Sequence, residues 1–204
     1  MKHHFKELTL MVVAFGLLLP GCNSRLTAED MMVDIKQETI FNISRKTDPS
    51  SNITTISSTQ ETTDIYYNGY GEKTGERPST LVDVPILEGF VKIHPDGRRE
   101  YFIVHSIKTE GGSMSSYYQS TCMSDDTISF SLDGAVAGPI PGEFYKIDSG
   151  RYWYGFVRIN VDSDTFRKIA VADSLVARSC LDNQDILSGA EINALRNVFN
   201  ESLK

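Results

Sequence analysis

Histidine, cysteine, serine and the acids are the side chains that could carry chemistry, and histidine is the scarcest. Four occur, and two of them, His3 and His4, fall in the first residues of the chain. His94 sits at a predicted turn and His105 mid-strand, with opposite parity, so they face opposite sides of a sheet and make no joint metal site. His105 reads as a satisfied, half-buried strand residue. Serine lacks both a G-x-S-x-G elbow and an S-x-x-K pair. Gly69-Tyr-Gly71 has no strand-to-helix context and reads as a loop, not a nucleotide fingerprint. Asp162-Ser-Asp164 opens like a calcium loop but lacks the later glycine and glutamate, so it reads as a turn. Glu88, Asp96, Glu100, Asp148 and Asp162 fall near strand ends, where a pair of carboxylates could cleave a glycosidic bond if folding brought them together. None has a distinguishing context. The sequence therefore singles out no catalytic residue, no metal ligand and no cofactor.

Aromatic side chains are more suggestive. In Arg151-Tyr-Trp-Tyr-Gly-Phe-Val-Arg-Ile-Asn-Val161, strand alternation puts Trp153, Val157, Ile159 and Val161 on one face and Tyr152, Tyr154 and Phe156 on the other. Two readings follow for the second face: it is covered by the C-terminal helix or a loop, or it is an exposed aromatic patch suited to binding protein or sugar. Tyr66, Tyr67 and Tyr70, beside Asn68, Gly69 and Gly71, have the composition of an adaptable recognition loop, and equally of a loop folded on a sheet edge.

Three cysteines stand at 22, 122 and 180. The N-terminus decides the first. Lys2 and Lys6 precede an apolar run from Leu8 to Leu19, the layout of an export signal. The run is shorter than the roughly 20 residues a membrane span needs. At its end Leu19-Pro20-Gly21-Cys22 resembles the lipobox of bacterial lipoproteins, with Pro20 departing slightly from the usual small residue. The resemblance covers only about the first 22 residues. It implies cleavage before Cys22, lipidation of that cysteine and anchoring in an envelope membrane; Asn23, in place of the aspartate that retains enteric lipoproteins at the inner membrane, implies the outer membrane, facing the periplasm. Two or three acyl chains, at about 0.8 kcal/mol per buried CH₂, hold far more firmly than one.

Cys122 and Cys180 remain, an even pair in an exported chain, and read as a disulfide that stabilises by roughly 4 kcal/mol. The plain alternative is two buried thiols. Loss of residues 1–21 leaves about 180 residues, one ordinary domain. The precursor's net charge of −7 becomes one unit more negative, because two lysines and one glutamate leave. Such a chain repels phosphates, which argues against a nucleic-acid partner.

The elements that must position these residues are mainly strands. Thr27 to Ile40 allows a short helix or strand, and residues 45–64, rich in Ser and Thr, read as a flexible tether. Residues 22–63 thus form a lipidated N-terminus and tether, and 64–204 a single domain. Phe90–His94 and Arg99–Ile107 flank Pro95-Asp96-Gly97 as a hairpin, with Lys92 opposite Glu100. Strands are expected at Tyr117–Cys122, Thr127–Leu132, Glu143–Ile147, Arg151–Val161 and Phe166–Val171. Pro139 and Pro141 exclude a central strand between them. Ser188-Gly-Ala-Glu191 forms a capping box, and Ile192, Leu195, Val198, Phe199 and Leu203 line a terminal helix. The expected fold is α+β, a twisted antiparallel β meander with a C-terminal α-helix packed on one face. With catalytic groups sparse, the expected function is a non-catalytic interaction module that binds an envelope protein; the rival is a two-carboxylate glycan or peptidoglycan hydrolase.

Overall fold

The computed structural model describes residues 34–78, 85–110, 121–123, 125–149, 152–180 and 183–204. Two compact units divide the chain: residues up to Glu38 with Thr63–Ser79, and Thr39–Thr62 with Thr80–Lys204.

Antiparallel strands dominate. β1 (Asp34–Thr47) and β2 (Thr54–Tyr67) form a ribbon, and β3 (Lys73–Pro78) turns back along the end of β2. β4 (Leu87–Ile93), β5 (Arg99–Glu110), β8 (Glu143–Ser149) and β9 (Tyr152–Val161) extend the sheet in the order β1-β2-β4-β5-β9-β8. A second sheet has the order β11-β10-β6-β7, from β6 (Thr127–Leu132), β7 (Ala135–Pro141), β10 (Leu175–Ser179) and β11 (Asn183–Ile186).

The ribbon corrects the tether expected over residues 45–64. Isoleucine and threonine favour a pleated backbone, and their hydroxyls pair across the strands: Thr39 with Thr62 at 3.1 Å and Thr47 with Thr54 at 2.9 Å. Polar composition here marks a solvated ribbon rather than a coil.

The β4–β5 hairpin forms as its residues dictate. Gly97 takes φ +84°, the His94 N–H donates to the Arg98 carbonyl at 2.9 Å, and Lys92 faces Glu100. β7, with Pro139 and Pro141, pairs among the described residues with β6 alone and lies at an edge of that sheet.

Phe166–Val171, expected as a strand, belongs instead to helix α1 (Ser163–Val171). Asp162 caps it, accepting from the Thr165 N–H at 2.7 Å, and its buried residues Phe166, Ile169 and Ala170 recur at helical, not strand, spacing. The strand expected at Tyr117–Cys122 lies outside the described residues except for Thr121 and Cys122, which sit in a helical turn.

Helix α2 (Gly189–Ser202) starts at the full capping box of Ser188 and Glu191. It buries Ile192, Ala194, Leu195, Val198 and Phe199, each large one contributing roughly 1.5–3 kcal/mol. Leu203 falls past the helix end and is exposed. α2 packs against β4 at Gly89, where a β-carbon would stand 2.6 Å from Leu195 and 2.8 Å from Phe166. Glycine is the residue that lets the helices seat so closely. Tyr101, Phe166 and Phe199 close the cluster with ring centroids 5.5–6.3 Å apart.

The core face of the large sheet carries Leu87, Val91, Ile103, His105, Ile107, Val157 and Ile159, all buried together with Ile128, Phe130, Leu175 and Ala177 of the second sheet. Cys122 and Cys180 are joined as a disulfide across 58 residues, with Cα atoms 4.3 Å apart. The described residues include no helix long and apolar enough to cross a membrane.

Candidate functional site

The register of β4, β5, β9 and β8 places Glu88, Phe90, Phe102, Val104, Tyr154, Phe156, Arg158 and Tyr145 on the face opposite the core. Phe90 stands directly across from Phe102, their rings stacked at 4.8 Å; Tyr145 stands across from Phe156 at 4.9 Å. The cations Lys92 and Arg158 lie 5.3 and 6.0 Å from the Phe102 ring, within cation–π range. Arg158 also pairs with Glu143. Phe156 is buried, whereas Tyr145 is 41% and Ile147 54% exposed at the β8 edge.

The C-terminal helix does not cover this face, because α2 packs on the Gly89 side, yet Val104 and Phe156 are buried on it, as cover by a loop would require. The side chains of Tyr152 and Trp153 lie outside the described residues; Tyr154 and Phe156 take the predicted face. Phe90, Phe102, Tyr145 and Arg158 were not named from sequence, although each stacked pair lies within one hairpin; only bringing the two pairs onto one face depends on strand order. The β8–β9 and β4–β5 registers were the available signal.

Glu88 lies in the same cross-strand row as Val104, Arg158 and Glu143. Burial pushes its carboxyl above the usual range. Burial likewise raises the Tyr145 phenol; the Arg158 charge opposes that shift and the Glu88 charge adds to it. Three strand spacings separate Glu88 from Glu143, about 14 Å of backbone. Arg158 lies between them in the row and engages the Glu143 carboxylate.

A second constellation was invisible in sequence. His105 Nδ1 lies 2.7 Å from Ser179 Oγ, and His105 Nε2 lies 2.9 Å from Asp185 Oδ2. The carboxylate can only accept, so Nε2 carries a proton; in the neutral ring Nδ1 accepts from the Ser179 hydroxyl. These are the residue types of a hydrolytic triad, but their exposure is ordered the wrong way. A nucleophile must open to substrate with its acid behind it. Here Ser179 and His105 are buried and the Asp185 side chain is 31% exposed. The trio joins β5 of one sheet to β10 and β11 of the other. His94, by contrast, stays at its hairpin turn, 3.2 Å from Glu100.

In the other unit the tyrosine loop is tightly built. The Asn68 side chain accepts from the N–H groups of Tyr70 and Glu72 at 3.1 and 3.0 Å and donates to the Glu72 carboxylate, while Gly71 takes φ +76°. Tyr70 is 62% exposed. Tyr66 lies under Arg77 and Tyr67 under Lys36, each 5.0 Å from ring centroid to cation. Asp34, Lys36, Tyr67, Asn68, Gly69 and Gly71 line an open pocket of about 260 Å³. The two aromatic groups named from sequence thus belong to different units. Cys22 lies outside the described residues.

Comparison with protein-family models, with curated proteins and with solved structures gives no match.

Proposed function

We propose that this chain is a lipoprotein of the bacterial envelope, anchored through Cys22 to the outer membrane on its periplasmic side, that binds another envelope protein without catalysing a reaction. Partners of assembly, exclusion or immunity type fit this reading. The observation that supports it best is the aromatic sheet face. Stacked pairs Phe90–Phe102 and Tyr145–Phe156, flanked by Lys92 and Arg158, are the aromatic and arginine chemistry enriched in protein interfaces. The Ser179–His105–Asp185 trio, though chemically suggestive, keeps its hydroxyl away from substrate.

Two experiments test the two halves. Cys22→Ser is expected to abolish acyl labelling and release the protein from the detergent phase; persistent labelling would sink the anchor. Affinity capture from native membranes is expected to recover a stoichiometric partner with the wild type and lose it with Tyr145→Ala/Arg158→Ala. No partner, or equal recovery with both, would sink the interaction surface.

A second reading, hydrolysis of glycan or peptidoglycan, draws on Glu88, whose raised proton affinity suits a general acid. Its weakness is that Glu143, the other acid of the row, is engaged by Arg158. Glu88→Gln protein that still cleaved peptidoglycan as the wild type does would remove Glu88 from that role.

A further inference from the structure

An edge strand that stays long and unbroken is a template for another strand. The ends of the two strand orders differ sharply in this respect. β11 has 4 residues and β8 has 7, while β7 carries two prolines that lack an N–H to donate. β1 runs for 14 residues without proline and pairs, among the described residues, with β2 alone. It also exposes Ile35, Ile40 and Ile43. Its charged residues, Asp34, Lys36, Glu38, Arg45 and Lys46, are of both signs, so they repel some partners and match others.

The direction of its free backbone groups follows from the ribbon. The Asp48 N–H donates to the Ile53 carbonyl at 3.0 Å, and the Thr47–Thr54 and Thr39–Thr62 contacts hold one register along the strand. Alternation then turns the backbone groups of Thr39, Phe41, Ile43 and Arg45 outward.

We infer that β1 pairs antiparallel with β1 of a second copy of this chain, about a two-fold axis at Asn42. Such an axis, normal to the sheet, sets each residue opposite one of the same parity. Centring on Phe41 would put Lys36 against Lys46 of the other copy, a like-charge pair. Centring on Ile40 would match Asp34 with Lys46 but put Ile35 against Arg45 and Gln37 against Ile43. Centring on Asn42 puts Glu38 against Lys46 twice and Phe41 against Ile43 twice, matching charge with charge and apolar with apolar. The outward backbone groups of Phe41 and Ile43 face each other in that register. The sequence of β1 is therefore complementary to itself in one alignment. The occupant is a second copy because this one strand supplies both halves of every match.

The register predicts where the copies can be cross-linked. Asn42 and its symmetry mate form a non-hydrogen-bonded pair with Cα atoms about 4.5 Å apart, within disulfide reach. The two Lys46 residues lie about 27 Å apart. The mature full chain, in dilute detergent with a mild oxidant, is expected to give a band of twice the monomer mass on non-reducing gels as Asn42→Cys and none as Lys46→Cys. Glu38→Lys in the Asn42→Cys background is expected to lower the dimer yield on the order of 10-fold, and adding Lys46→Glu to restore it. Monomer alone from Asn42→Cys, an adduct of another mass, or equal cross-linking from Lys46→Cys would overturn the inference. So would a charge-swapped double variant that keeps its circular dichroism but not its dimer.

Discussion

The two faces of the large sheet are made from the same strands, yet they obey different rules. On β5, Ile103, His105 and Ile107 look inward, where helices and the second sheet close over them. Phe102, Val104 and Ser106 look the other way, beside Phe90, Phe156 and Arg158. Inside, His105 is held between Ser179 and Asp185, and the apolar side chains pack into one cluster. Outside, aromatic rings stack in pairs and mix with charge. The inner face specifies the fold; on the outer face Val104 and Phe156 are still buried, and the contact area left for something else lies at Tyr145 and Ile147.

Substitutions should separate the two faces, and the largest effects should lie inside. Cys180→Ser opens a 58-residue loop closed by the disulfide and is expected to cost roughly 4 kcal/mol in urea unfolding. His105→Ala leaves a cavity and strands the Ser179 hydroxyl, and is expected to cost about 3 kcal/mol by the same measurement. If either change cost less than about 1 kcal/mol, the inner face would not be the fold's specification. Tyr145→Ala, on the outer face, is expected to change stability by under about 1 kcal/mol while reducing partner capture, because its ring is stacked but 41% exposed. The smallest effect concerns pH. The Glu88 carboxyl is raised by burial, so the folded state holds its proton more tightly than the unfolded one, and stability falls as pH rises from the unfolded value through the folded one. Glu88→Gln should therefore match the wild type in acid and exceed it slightly near neutrality; the reverse pattern would place Glu88 in a favourable charge pair.

Much of the inner face was legible from sequence. The hairpin around Gly97, the alternation of Arg151–Val161, the capping box at Ser188 and the cysteine pairing all rest on neighbours in the chain or on simple parity. Three things were not. The Ser/Thr ribbon looked like coil because β1 buries no residue and β2 buries only Ile56, Ser58, Asp64 and Ile65, too few apolar positions to show an alternation. Helix α1 looked like a strand because a short run of Phe166, Ile169 and Ala170 is ambiguous until Asp162 is recognised as its cap. The trio could not be seen at all, since His105 lies 74 residues from Ser179 and 80 from Asp185. The aromatic face lay between these cases: Tyr154 and Phe156 announced it, but bringing the two stacked pairs onto one face depended on which strands became neighbours.

The exposure order within the trio has a consequence for exchange with solvent. Ser179 and His105 are sealed, and Asp185 alone among the three reaches water. A proton on the imidazole can be traded for deuterium only past that carboxylate or by parting the sheets. The His105 ring N–H should thus exchange far more slowly than that of an open histidine. Asp185→Asn, which keeps the shape but removes the acceptor charge, should change that rate without changing access to Ser179. Nuclear magnetic resonance of the ring nitrogens would then time how often the two sheets breathe apart.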